Sequence, residues 1–241
     1  MNDKNELIVY QGPAMWGIPN GSPFCIKLEF FLKSHKIPYT TKNFNPQLAP
    51  RGKMPFVKWH GELLGDSEMI IMKLCADLKI NLDTHLSDEQ RHLSHIIKRM
   101  LEEGTYFAAL WNRWISNENW KVVKKSYFSS LPPIVKHLLP EFLRKQVKRT
   151  CYGHGISRYQ VDEISAGVDK DLAAIDYFFS RQGPYFFGET ISSLDYTVYS
   201  WLASFLIPKL PDPIKTSFDK HELFIKYIEN INREFFPELK V

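Results

Sequence analysis

Ser22, in the run Ser22-Pro23-Phe24-Cys25, has the side-chain type and the setting to handle a sulfur anion. The run follows a predicted strand, Leu7 to Tyr10, and a Gly/Pro-rich loop, and it opens a predicted helix. Serine at a helix N-cap accepts a backbone N–H and proline suits the first helical position, so one use of Ser22 is to cap. The other use turns the same hydroxyl outward, where it donates to a thiolate at the positive end of the helix. Lowering a thiol pKa by ~2 units takes about 2.7 kcal/mol of preferential anion stabilisation. One hydroxyl bond and a helix N-terminus are sufficient for that, and on these four residues both uses stay open.

Two further stretches carry recognition chemistry. In Lys53-Met54-Pro55-Phe56-Val57 a proline opens a strand. A cis bond before Pro55 would turn the Met54 N–H and C=O outward, to pair with a peptide-like ligand as an added strand does. The competing use is an ordinary loop-to-strand proline. Asp66-Ser67 is a good N-cap pair, and its carboxylate and hydroxyl also suit an amino-acid head group, the acid taking the ammonium. Cys25, a helical turn beyond Ser22, reads first as a packed small residue and second as a sulfur for mixed-disulfide chemistry. His154, between Gly153 and Gly155, reads as a loop histidine held by packing, with ligand contact as the alternative.

The elements that must position these residues come in two blocks. In the first eighty residues β-like runs alternate with helical ones: Leu7–Tyr10, a helix Phe24–Ser34, Tyr39–Phe44, then Phe56–Trp59 and Glu62–Leu64 around a His60-Gly61 hairpin signal, then a helix after Asp66-Ser67. That is βαβ followed by ββα. Residues 81–86 read as a polar connector, and every strong signal in 87–241 is helical. Ser87-Asp88-Glu89-Gln90 is a capping box that opens a long helix running towards Trp111 and Trp114. Val161 to Phe179 is amphipathic, Leu223 to Ile231 outlines a last helix, and Ser192-Ser193-Leu194-Asp195 starts a helix apolar nearly all round, hence a core helix.

Composition narrows the class. The chain has 241 residues, 44% hydrophobic and 24% charged, as expected of a globular protein. Three separated cysteines, Cys25, Cys75 and Cys151, give no disulfide framework and fit a reducing compartment. Met1–Glu6 lacks the apolar core of a signal peptide, and the apolar run Tyr196–Ile207 is too short to span a bilayer, so a cytoplasmic location is expected. Net charge is +4, unevenly placed: Lys121–Thr150 holds eight Lys/Arg against one acid, Glu141, a net of +7 that leaves −3 for the remainder. A solvated helical face explains it, or an electrostatic surface towards an anionic ligand, membrane or acidic partner. Nucleic acid is disfavoured, and no metal-binding or nucleotide-binding spacing occurs.

Ser22-Pro23-Phe24-Cys25 looks like a glutaredoxin redox elbow whose first cysteine has become serine. With Met54-Pro55, Asp66-Ser67 and the Ser192-Ser193-Leu194-Asp195 helix start, in this order and spacing, the chain resembles the glutathione transferase superfamily over nearly its whole length. Trp16-Gly17-Ile18-Pro19, Ser22-Pro23-Phe24-Cys25-Ile26-Lys27-Leu28-Glu29, Gly52-Lys53-Met54-Pro55 and Gly153-His154-Gly155 are similar to its metaxin and failed-axon-connections branch. The resemblance implies a thioredoxin-like α/β domain over 1–80 and an all-α domain over 87–241.

It also implies glutathione as co-substrate. Ser22 would activate its thiol, with Tyr10 and Cys25 as rivals; Met54 would pair with the cysteinyl part beside a cis Pro55; Asp66 and Ser67 would hold the γ-glutamyl end, and Lys53 a carboxylate. A small electrophile would sit between the domains against Tyr106, Trp111 and Trp114. Relatives of this fold often form dimers. The alternative is a non-catalytic adaptor, since the metaxin branch is associated with membrane protein import and neuronal development. This chain shows no terminal apolar anchor of the kind that membrane-bound metaxins carry, and it keeps Asp66-Ser67. A third reading, a thiol-disulfide reductase through Cys25, lacks the leading cysteine.

Overall fold

In a computed structural model, residues 6–129, 131–179, 182–211 and 222–239 are described. Four strands form one mixed sheet, β1 (Ile8–Gln11), β2 (Thr40–Asn43), β3 (Phe56–Trp59) and β4 (Glu62–Gly65), in the order β2-β1-β3-β4. β1 is parallel to β2 and antiparallel to β3, and β3 is antiparallel to β4. Between β1 and β2 runs α1 (Pro23–Ser34), the crossover that a parallel pair requires, and α2 (Ser67–Leu78) follows β4. The β3–β4 turn is the expected hairpin. His60 and Gly61 both adopt positive φ, 49° and 88°, the two-residue turn whose twist suits antiparallel strands.

After the connector every described element is helical. α3 (Asp88–Arg99) starts at the expected capping box, where Ser87 N–H donates to Gln90 Oε1 (2.9 Å) and Gln90 N–H to Ser87 Oγ (3.2 Å). The long helix expected beyond it is not uniform. Two π-helical stretches, Met100–Thr105 and Trp111–Ile115, flank the short α4 (Tyr106–Leu110). Then come α5 (Asn117–Phe128), α6 (Pro133–His154), a 3-10 turn Ile156–Arg158, α7 (Val161–Phe178), α8 (Ser193–Leu206) and α9 (Glu222–Phe235). His154 is therefore not a loop residue. It ends α6, its ring stacked on Phe107 with centroids 3.6 Å apart, as a histidine held by packing would be.

Packing does not follow chain order. One compact unit contains the sheet, α1, α2, α8 and α9; the other is built on Ile96–Phe178, and the boundary falls within α3, after His95. The reason lies in α8. Thirteen of its fourteen residues are buried, so it needs partners on all sides. Within the first unit Phe30 of α1 packs edge-on against Tyr196 and Tyr199 of α8, and Phe24 against Trp201. Within the second unit Thr105 donates to Asp171 of α7 (2.7 Å), and Trp114 packs against Trp120 and Tyr127 of α5. No helix among the described residues is long and apolar enough to cross a membrane.

Candidate functional site

Strand register gathers the three motifs of the first unit. Tyr10 lies opposite Phe56, and Phe56 opposite Gly65, so the C-terminal end of β1, the N-terminal end of β3 and the C-terminal end of β4 form one edge of the sheet. Met54-Pro55 leads into that row, Asp66-Ser67 leaves it, and the loop to Ser22 departs from it through Gln11 and Gly12. The Met54-Pro55 bond is cis. Met54 precedes the β3 ladder, and its backbone takes no hydrogen bond among the described residues.

The loop to Ser22 is held from inside. Met15 and Ile18 exchange both backbone bonds across a turn at Trp16 and Gly17, and Ile18 is fully buried. Asn20, also fully buried, donates Nδ2–H to the Gly12 carbonyl (2.7 Å) and accepts the Ser22 N–H at Oδ1 (3.0 Å). Ser22 is the N-cap of α1 by backbone, its carbonyl accepting from Cys25 and Ile26, but its hydroxyl makes no capping bond. The two uses open at the sequence level thus separate: the backbone starts the helix and the Oγ is left for something else. That Oγ is half-buried and reaches the Cys25 thiol. Burial pushes the Cys25 thiol well above its ordinary value, outweighing the Ser22 hydrogen bond that pulls it down. A wholly buried, protonated sulfur has neither the charge nor the access of a nucleophile.

Asp66 caps α2. With φ +82° its Oδ1 accepts from Glu68 N–H (3.1 Å) and Met69 N–H (3.2 Å), while the side chain stays exposed and Ser67 beside it is buried. Lys53 is exposed. The Tyr10 ring stacks on Phe56, centroids 4.4 Å apart and nearly parallel, which is the packing of a core strand tyrosine. Tyr106, Trp111 and Trp114 belong to the second unit, all partly buried, with Trp114 in the aromatic cluster of α5 and the Tyr106 phenol pushed up by burial.

Two positioning residues escaped sequence reading. Asn20 stands two residues before a helix-starting serine, a spacing at which asparagine commonly bonds the following backbone, and that local signal was available. Lys27 lies on α1 between Ile26 and Leu28 and is only 1% exposed; its Nζ pairs with Glu68 Oε2 in the first turn of α2 at 2.5 Å. A lysine amid a buried run was the only hint, because its partner is 41 residues away. The pair ties the helix that begins at Ser22 to the helix that begins after Asp66. Among the described residues no cluster of His, Cys, Asp or Glu is arranged to hold a metal ion.

Known proteins match this chain over most of its length. The family model described as Glutathione S-transferase N-terminal domain matches residues 23–119, and that described as Glutathione S-transferase, C-terminal domain matches 168–231. Failed axon connections of Drosophila melanogaster is 24% identical, over 98% of this chain and 59% of its own length. Isoprene-epoxide–glutathione S-transferase of Rhodococcus sp. (strain AD45) is 24% identical over 95% of this chain and 99% of its own. Metaxin-1 of Bos taurus is 30% identical over 86% of this chain and 67% of its own. The chain thus spans about three fifths of Failed axon connections. Among solved structures, glutathione S-transferase III in apo form superposes with a TM-score of 0.60 at 13% identity, covering 98% of both chains, a likeness of fold. The metaxin relatives also overturn one expectation: a branch associated with membrane protein import does not point to a plainly cytoplasmic chain.

Proposed function

We propose that this chain, which belongs to the glutathione S-transferase family, binds glutathione at the β1–β3–β4 edge and activates its thiol with Ser22. The observation that carries this is the Ser22 hydroxyl, at a helix N-terminus yet not spent on capping it. Cys25, kept protonated by burial, stays beside the Ser22 hydroxyl as a neutral neighbour, and in this proposal the Ser22 O–H donates to the incoming sulfur instead. The α1 N-terminus adds its partial positive charge. Met54 N–H and C=O pair with the cysteinyl backbone beside Pro55, the free oxygen of Asp66 with Ser67 holds the γ-glutamyl end, and Lys53 meets a carboxylate.

The electrophile in this proposal is a small epoxide, as the Rhodococcus relative's name suggests. The glutathione thiolate forms an S–C bond at one epoxide carbon, the C–O bond opens, and the alkoxide takes a proton from water. Possession of Asp66-Ser67 favours this over a second reading, a non-catalytic adaptor, which the Failed axon connections and metaxin relatives support. Calorimetric titration with reduced glutathione separates the two. Binding at or below millimolar concentration is expected, and its absence sinks the catalytic reading.

A further inference from the structure

α6 carries a surface that the glutathione chemistry does not use. It is 22 residues long, about 33 Å at the helical rise. Its inner side is fixed: Pro140 and Cys151 are buried, and Arg144 donates Nε–H to the Trp114 carbonyl (2.8 Å) and Nη2–H to the Ile115 carbonyl (2.9 Å) and Asn117 Oδ1 (2.8 Å). Its guanidinium also lies over the Trp120 ring. With that side pinned, the opposite stripe must face outward. Ile134, Leu138, Phe142, Lys145, Arg149 and Tyr152 follow one another at steps of four, four, three, four and three residues, a single face of the helix.

The composition of that face changes along its length. Ile134 is 76% exposed, Leu138 68% and Phe142 67%, with Val135 and Leu139 beside them also exposed. These are large apolar side chains held in water over three successive turns, which calls for a partner. The following turns present Lys145, Arg149 and Tyr152, flanked by Lys148, all exposed. The one acid in the segment, Glu141, is already paired with Lys124 at 2.7 Å, and this pair holds its carboxyl below the ordinary value. So the stripe is apolar at one end, and at the other its only charges are cationic. A second copy of α6 fits it poorly: parallel pairing sets Lys145 and Arg149 against themselves, and antiparallel pairing sets Ile134 and Leu138 against the cationic end.

We infer that the outward stripe of α6 docks the protein on an anionic lipid surface. Ile134, Leu138 and Phe142 enter the boundary between headgroups and acyl chains, Tyr152 sits at headgroup level, and Lys145, Lys148 and Arg149 contact lipid phosphates and carboxylates. The charge is local, since the chain outside Lys121–Thr150 is net negative, so this face would be presented to the membrane rather than any other.

The test is flotation of the full chain with vesicles of phosphatidylcholine alone or with about 30% phosphatidylserine, the fraction at which surface potential becomes appreciable. The protein should float only with the anionic vesicles at about 0.1 M salt and be released as salt rises. The triple change Lys145→Glu, Lys148→Glu and Arg149→Glu should weaken binding about 100-fold or more, while Lys145→Arg with Lys148→Arg should preserve it. Leu138→Ser with Phe142→Ser should weaken it about 100-fold by removing the apolar contact. A Phe142→Trp reporter should shift its emission to the blue on anionic vesicles. Equal binding to neutral vesicles, no flotation at low salt, or binding indifferent to these changes overturns the inference. So does concentration-dependent self-association that Phe142→Ser abolishes in a chain that does not float.

Discussion

At the start of α8, Ser192 and Asp195 spend their polar side-chain atoms on one another, on the backbone and on Tyr227. Asp195, fully buried, accepts from Phe186 N–H (2.7 Å), Ser192 N–H (2.8 Å), Ser192 Oγ–H (2.7 Å) and Tyr227 O–H (3.0 Å). At the start of α1, Ser22 occupies the same helical position, and its hydroxyl does not cap at all. Both helices belong to one compact unit and pack against each other, so fold region does not explain the contrast. What differs is the third residue into the helix. α8 has an acid there to complete the box, whereas α1 has Cys25, which is buried and uncharged. A serine whose local partners are complete is structural; one whose helix start is built by proline and by an asparagine latch has a hydroxyl that its cap does not consume, as the proposed role of Ser22 requires.

Removing Asp195 should have the largest effect. Asp195→Ala leaves four donors facing a buried site with no acceptor, and it should cost about 4 kcal/mol in urea unfolding. A loss below about 1 kcal/mol would mean that the α8 start tolerates open donors, and the contrast with α1 would lose its basis. Ser22→Ala is the complementary change. It should lower glutathione-dependent turnover about 100-fold, the usual size for one hydrogen bond to a developing anion, while shifting stability by less than about 0.5 kcal/mol. Turnover falling only through KM would mark Ser22 as a binding group, and a stability loss near 1 kcal/mol would return it to capping.

How much of this was legible in the chain follows from range. Both capping boxes, the proline start of α1 and the hairpin at His60-Gly61 are written within three or four consecutive residues, and sequence reading finds such signals. The gathering of Ser22, Pro55 and Asp66 at one sheet edge required the βαβ-ββα order, which alternating hydrophobicity supplied. Lys27–Glu68 and the bonds from Ser193 to Asp83 join residues 41 and 110 apart, and nothing local records them. The inner and outer faces of α6 were equally hidden, because Ile134, Leu138 and Phe142 have the spacing of a core stripe and Pro140 breaks the helical pattern. Periodicity locates a face without saying whether protein or solvent meets it.

Asp66 stands between the two extremes, since one of its oxygens caps α2. Asp66→Ala should therefore show both behaviours: about 1 kcal/mol of stability from the lost cap, and about tenfold weaker glutathione binding from the lost charge-assisted contact. Asp66→Asn separates them, because asparagine caps as well as aspartate but carries no charge for an ammonium. Stability should then be retained and binding still reduced. Binding unchanged in Asp66→Asn would leave Asp66 a cap alone, on the side of Ser192.

The smallest effect concerns the far end of α1, where the helix meets the start of α8. His35 caps α1, its Nε2 3.1 Å from the Tyr196 hydroxyl and its ring beside Phe31. A helix C-terminus favours a protonated imidazole, but burial acts the other way and lowers the His35 pKa below its ordinary 6.5. The sign follows. Between the lowered value and 6.5 the unfolded chain binds the proton that the folded chain refuses, so stability is complete above pH 6.5 and declines as pH falls below it. His35→Gln should flatten that decline in urea midpoints measured from pH 7.5 to 5. The dependence of turnover on Ser22 should not change, because the two ends of α1 serve different partners. A Ser22 site that weakened in His35→Gln would show that the hydroxyl owes its orientation to the α1–α8 contact rather than to Asn20 and the sheet edge.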